Sequence, residues 1–178
     1  MKAVAFGLVG RQVSSDRDWR ALRAPDGGQR CGSQVQARRG GSQAGGSTKK
    51  EQARRILVAE DNEVNQQLMK LFLGKRGYEV VIAENGTEAV ERYEQSAFGV
   101  ILMDLQMPGL DGLGATRAIR GLEQINGGRI PIIGCTANAT RDYELACYDS
   151  GMDEYITKPV DFDKLLGMIR AFTCSAQS

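Results

Sequence analysis

The chain has 178 residues, 42% of them hydrophobic and 25% charged, with a formal net charge of +1 and no histidine. That length suits one domain with a full core plus a tail, and the missing histidine excludes imidazole acid–base catalysis, imidazole metal ligands and a phosphohistidine on these residues. The near-neutral total hides a division: residues 1–54 carry eleven Lys/Arg against four Asp/Glu, about +7, which leaves about −6 for residues 55–178.

Cys31, Cys135, Cys147 and Cys174 form no C-x-x-C pair, so no disulfide framework is indicated and a reducing, cytoplasmic compartment is the expectation. No apolar run approaches the roughly 18 residues of a membrane span. Residues 1–10 place Lys2 before a short apolar stretch but lack a small-residue cleavage pattern. From Arg11 to Thr48 the chain is rich in Arg, Gln, Ser and Gly, and Gly40 to Ser47 reads as a flexible linker. Residues 1–54 are therefore expected to be a disordered basic tail or linker. An organelle-targeting leader or a nucleic-acid-binding arm is the functional alternative. The scattered arginines around Trp19 lack the stacking-plus-basic pattern of RNA binding, which argues against nucleic acid as a partner.

The character changes at Arg55. Ile56 to Ala59 reads as a short buried strand, followed at once by Glu60-Asp61-Asn62. Val64, Leu68, Leu71 and Phe72 recur at helical spacing and predict the inner face of a helix that ends near Gly77. Tyr78 to Ala83 is a second strand. Asn85-Gly86-Thr87 opens a helix with Ala89, Val90 and Tyr93 inward. Val100 to Met103 runs straight into Asp104 as a strand buried on both faces. A helix from Leu113 to Leu122 follows the loop of Pro108 and Gly112, and Asn126-Gly127-Gly128 marks a turn. Pro131 to Thr136 is a fourth strand ending on a hydroxyl. Arg141 to Ser150 is a helix closed by Gly151. Glu154 to Thr157 is a fifth strand leading to Lys158-Pro159. Phe162, Leu165, Leu166, Ile169 and Phe172 line a last helix.

Five repeats of strand then helix imply a parallel sheet, helices on both faces and right-handed crossovers. Glu60, Asp61, Asp104, Thr136 and Lys158 all fall at strand carboxyl ends, where open α/β sheets bind ligands. Each alone reads as a solvated loop charge, and Thr136 as a helix cap; all five on one edge call for a shared task. Carboxylates with a backbone carbonyl make an all-oxygen site that suits Mg²⁺. A carboxylate can also act as nucleophile and become an aspartyl-phosphate, with Lys158 and Thr136 contacting the phosphoryl group.

These residues carry a resemblance. Ile56 to Phe172 resembles the receiver domain of two-component phosphorelays, and most of all the receivers of hybrid sensor histidine kinases. The matching stretches are Ile56-Leu57-Val58-Ala59-Glu60-Asp61-Asn62 with Asn65-Gln66; Met103-Asp104-Leu105-Gln106-Met107-Pro108 with Asp111-Gly112; Ala115-Thr116-Arg117 with Ile119-Arg120; Pro131-Ile132-Ile133 with Thr136-Ala137-Asn138-Ala139; and Gly151-Met152-Asp153 with Tyr155 and Thr157-Lys158-Pro159. Gly114 departs from it, standing where relatives often carry an acid, and so does Gly134-Cys135. Neither departure touches the site.

The resemblance implies a flavodoxin-like, doubly wound five-stranded sheet of order 2-1-3-4-5 with five helices, spanning residues 55–173, with 174–178 as a short tail. It implies Asp104 as phosphoacceptor. Glu60, Asp61, Asp104 and the backbone carbonyl of Gln106 would organise Mg²⁺. Thr136 and Lys158 would contact the phosphoryl group, and Tyr155 would be the switch aromatic of a readout face on the last two strands and helices. It implies a histidine kinase or histidine phosphotransfer protein acting in trans, or from a part of a longer hybrid kinase. Such a domain is no enzyme beyond its own phosphoryl transfer and dephosphorylation. An aspartate-nucleophile phosphatase would want an acid two residues after the nucleophile, where this chain has Gln106. A phosphorylation-independent interaction module is the alternative, and oligomeric state is left open.

Overall fold

Five short apolar runs pair side by side into one parallel sheet. They are β1 (Arg55–Ala59), β2 (Glu79–Ala83), β3 (Val100–Asp104), β4 (Ile132–Thr136) and β5 (Glu154–Thr157), in the order β2-β1-β3-β4-β5. The computed structural model describes residues 49–138 and 140–174. The tail expected over residues 1–54 falls outside the described residues up to position 48, as do residues 175–178. Lys49–Gln52 forms a single helical turn, where an unstructured tail was expected. Five helices connect and follow the strands: α1 (Glu63–Gly74), α2 (Gly86–Gln95), α3 (Gly112–Asn126), α4 (Arg141–Ser150) and α5 (Phe162–Cys174).

Strand alternation sends side chains to two cores. Leu57, Ile101, Met103 and Ile132 pack with Ala89, Ala115, Ile119 and Cys147 under α2, α3 and α4. Ile56, Val58, Val100, Leu102 and Ile133 pack with Met69, Leu73, Leu165 and Ile169 under α1 and α5. All five residues of β3 are buried, which fits the unbroken apolar run from Val100 to Met103 that leads into Asp104. Caps start the helices: Asn62 accepts from Val64 and Asn65 N–H, Asn85 from Glu88 N–H, and Asp111 from Gly114 N–H.

The structure corrects the predicted face of α1. Val64, Leu68 and Leu71 are exposed, at 75%, 47% and 58%, and the buried positions are Gln66, Met69 and Leu73. Phe72 is half-buried against the second core. Apolar periodicity counts Gln66 as polar and so turns the helix the wrong way. Gln66 is buried because its side-chain amide donates to the Glu60 carbonyl at 2.8 Å. The helix also stops at Gly74, and Gly77 sits in the turn beyond it at φ 82°. At the other extreme α3 outruns the expected Leu122 and continues to Asn126. Its added turn is held by buried Glu123, which accepts from Ile130 N–H and pairs with Arg120 at 2.7 Å.

Candidate functional site

Parallel strands in this order bring the carboxyl ends of β1 and β3 side by side, with the end of β5 on the same edge one strand away, beyond β4. Ala59 pairs with Met103 and Asp104 with Cys135, so Glu60 and Asp104 emerge next to each other at the ends of neighbouring strands. Glu60, Asp61 and Asp104 each offer a carboxylate oxygen within 4.8 Å of the others. Glu60 and Asp104 are 3% and 4% exposed, while Asp61 faces solvent.

Two buried carboxylates this close would repel strongly without a counter-charge. Lys158 supplies it: Nζ lies 2.6 Å from Asp104 Oδ2 and 2.8 Å from Glu60 Oε2. The other Asp104 oxygen, Oδ1, accepts from Gln106 N–H at 3.1 Å. The other Glu60 oxygen, Oε1, accepts from the Asn65 side chain at 2.8 Å. Burial pushes the Asp104 carboxyl above its usual range, and the nearby Glu60 charge adds to this. Lys158 and Gln106 N–H pull the other way and only partly offset it. At Lys158, burial is the largest single influence and lowers the pKa. The hydrogen bonds and charges of Asp104 and Glu60 together outweigh it and raise the pKa.

Thr136 is buried at the end of β4, but its hydroxyl belongs to its own loop: Oγ1 donates to the Asn138 carbonyl at 3.0 Å and accepts from Asn138 N–H at 3.1 Å. It does not cap α4, whose cap position is Thr140. Strand alternation turns Thr136 toward the face under α3 and α4, opposite to Asp104. Tyr155 lies on that same face, packed against its core and edge-to-face with Tyr148 at 6.1 Å. Burial raises the Tyr155 pKa, and Glu144 and Glu154 add to it. The structure thus joins Glu60, Asp61, Asp104, the Gln106 backbone and Lys158 into one cluster, with Thr136 and Tyr155 beside it in separate contacts. An open acidic cleft of about 710 Å³, lined by Asp61, Glu84, Glu88 and Pro108 to Leu110, borders the cluster.

Asn65 and Gln66 hold Glu60 by its carboxylate and its carbonyl, and sequence reasoning gave them no role. Their signal was present: two amides one turn into a helix, five and six residues after a buried acid. The loop of β3–α3 depends on two glycines. A Cβ on Gly112 would overlap the Asp104 carbonyl oxygen, and a Cβ on Gly86 would overlap the Leu110 carbonyl oxygen.

Hard carboxylates, that of Asp61 open to solvent, make a donor set that fits Mg²⁺ and offers nothing to a thiolate- or imidazole-seeking metal. Among the described residues no helix is long and apolar enough to cross a membrane.

Residues 56–170 match the family model described as the response regulator receiver domain. A hybrid signal transduction histidine kinase I of Dictyostelium discoideum is 44% identical over 125 residues, covering 67% of this chain and 7% of the kinase. The chain therefore spans only a small fraction of that relative's length. The receiver domain of sensor histidine kinase PA1611 from Pseudomonas aeruginosa, solved with magnesium in its active site cleft, is 39% identical. That match has a TM-score of 0.62 and covers 68% of this chain and 98% of that one. The Saccharomyces cerevisiae Ssk1 receiver domain, solved with the histidine phosphotransfer protein Ypd1, is 33% identical at a TM-score of 0.65, covering 67% of this chain and 88% of that one.

Proposed function

The chain belongs to the response regulator receiver family, and from that membership we propose that residues 55–173 accept a phosphoryl group on Asp104 from the phosphohistidine of a partner. The partner is a histidine kinase or a histidine phosphotransfer protein. The chain then works as a signalling phosphoacceptor in a two-component phosphorelay. The observation that carries this reading is Lys158 held between Asp104 and Glu60 at 2.6 and 2.8 Å, next to exposed Asp61.

In the proposed step an Asp104 carboxylate oxygen forms a bond to phosphorus while the phosphorus–nitrogen bond to the donor imidazole breaks. The electron pair stays on that nitrogen, which takes a proton from solvent. Positioning and charge neutralisation dominate such a transfer. Gln106 N–H fixes the carboxylate plane through Oδ1. Lys158 meets the negative charge of the arriving group, moving from Asp104 Oδ2 to a phosphoryl oxygen while Glu60 Oε2 keeps hold of it. Mg²⁺, held by Glu60, Asp61, Asp104 and the Gln106 carbonyl, would supply the further positive charge that a phosphoryl group needs beside three acids. Thr136 would leave Asn138 to contact the phosphoryl group, and Tyr155, on the same face, would respond as the switch.

Intact mass after incubation with acetyl phosphate, with and without Mg²⁺, tests the reading. The expected result is one added phosphoryl group that requires both Mg²⁺ and Asp104 and is lost in Asp104→Asn. A folded chain that gains nothing with Mg²⁺ present refutes it and leaves a phosphorylation-independent interaction module. A gain that persists in Asp104→Asn refutes the assignment of the acceptor.

A further inference from the structure

Glu60 is gripped from three directions. Asn65 Nδ2 donates to Oε1, Lys158 Nζ to Oε2 and Gln66 Nε2 to the backbone carbonyl, each at 2.8 Å. Asn65, Glu60, Lys158 and Asp104 thus form one continuous chain of hydrogen bonds, closed at 2.6 Å on Asp104 Oδ2. We propose that Asn65 is a positioning residue for phosphoryl transfer: its amide sets the plane of the Glu60 carboxylate, and Glu60 in turn holds Lys158 within reach of the group arriving on Asp104. This rests on the reading of Asp104 as the phosphoacceptor.

The terminal torsion of a glutamate is broad and roughly two-fold. Left to itself, the Glu60 carboxylate could turn both oxygens onto the single ammonium and draw it away from Asp104. Asn65 occupies Oε1 and leaves one oxygen for Lys158. It does so without charge, so it neither neutralises Glu60 nor adds to the crowd of acids. A cation in its place would compete with Lys158, and an acid would repel Glu60.

A purely local duty does not account for Asn65. The start of α1 is capped by Asn62, whose Oδ1 accepts from both Val64 and Asn65 N–H. The backbone of Glu60 is held by Gln66. The hydrogen bond that the Asn65 side chain makes among the described residues goes to the Glu60 carboxylate.

The test uses the full chain with Asn65→Leu, which removes the amide at similar size, and Asn65→Asp, which keeps the shape but exchanges donor for acceptor. Three quantities are measured: the urea midpoint, Mg²⁺ affinity by titration calorimetry, and the phosphorylation rate against acetyl phosphate concentration at saturating Mg²⁺. Both variants are expected to keep a urea midpoint close to the parent's. They lose about ten-fold in maximal rate, with the half-saturating donor concentration unchanged within about two-fold. Asn65→Asp binds Mg²⁺ at least as tightly as the parent, because it adds a carboxylate, and still transfers slowly. Maximal rates within two-fold of the parent in a folded variant overturn the proposal, as does a loss no larger than the unfolded fraction. Should Asn65→Leu fail to fold, Asn65→Asp decides alone. A parent chain that accepts no phosphoryl group refutes the reading of Asp104 itself, a different outcome from variants that match an active parent.

Discussion

Arg120 makes the sharpest stability prediction. Its side chain is 10% exposed, and its guanidinium donates to four oxygens: Glu123 Oε2 at 2.7 Å, Asp153 Oδ2 at 2.7 Å, the Ile130 carbonyl at 2.9 Å and the Gly151 carbonyl at 2.9 Å. These belong to α3, to the loop before β4 and to the turn before β5. Asp153 also accepts from Ile132 N–H at 2.9 Å and pairs with Arg129. Arg120→Ala leaves Glu123, with a side chain 4% exposed, without its cation and with the neutral donors Ile130 N–H and Tyr93 beside it. Removing one partner of a buried pair costs about 3–5 kcal/mol, out of roughly 5–15 kcal/mol for a whole domain. Urea unfolding followed by far-ultraviolet circular dichroism should show that loss, and thermal unfolding a fall on the order of 10 °C. Replacing both members in Arg120→Leu/Glu123→Leu should recover at least half of it, because the stranded charge is gone. A loss in Arg120→Ala below about 1 kcal/mol would refute the reasoning. So would a double variant as unstable as the two single changes added together.

Two further predictions concern α1 and acid stability. Leu68→Gln should change stability by less than about 0.5 kcal/mol, whereas Leu73→Ala should cost about 2–5 kcal/mol; equal losses in urea unfolding would put the apolar stripe of α1 back in the core. Glu88 accepts from Glu84 N–H at 2.7 Å and pairs with Arg92, and the backbone bond is the main cause of its lowered pKa, with burial opposing it. A depressed folded-state pKa contributes stability above the ordinary value of 4.5 that is lost as pH falls through the folded one. Glu88→Gln should therefore flatten the acid decline of the urea midpoint below about pH 4.5, and a decline as steep as the parent's would contradict this.

The strands and the acids at their ends were legible because both signals are local. A buried parallel strand is an unbroken apolar run, and Asp104 interrupts one at its last residue. The face of α1 was not legible from apolar spacing, since Gln66 is buried for a hydrogen bond rather than for its hydrophobicity. The length of α3 was hidden for a related reason: Glu123 looks like a surface acid until Arg120 and Ile130 N–H are brought to it. The Arg120 cluster needs residues 33 positions apart to meet across β4 and β5, and no short-range pattern encodes that. Lys158 could be placed at the correct edge by counting strands. Its simultaneous hold on residues 98 and 54 positions away could not.

Where Gly112 opens α3, no side chain stands between the helix and the Asp104 carbonyl. A leucine or methionine at such a junction would act as a cushion and absorb small displacements by changing rotamer. Here main chain bears directly on main chain. The 15 residues of α3 form a strut about 22 Å long. One end is seated on the peptide of Asp104 and the other is bolted through Arg120 and Glu123 to the loops that enter β4 and β5. The joint has almost no slack, so a shift of the Asp104 main chain bears directly on the strut.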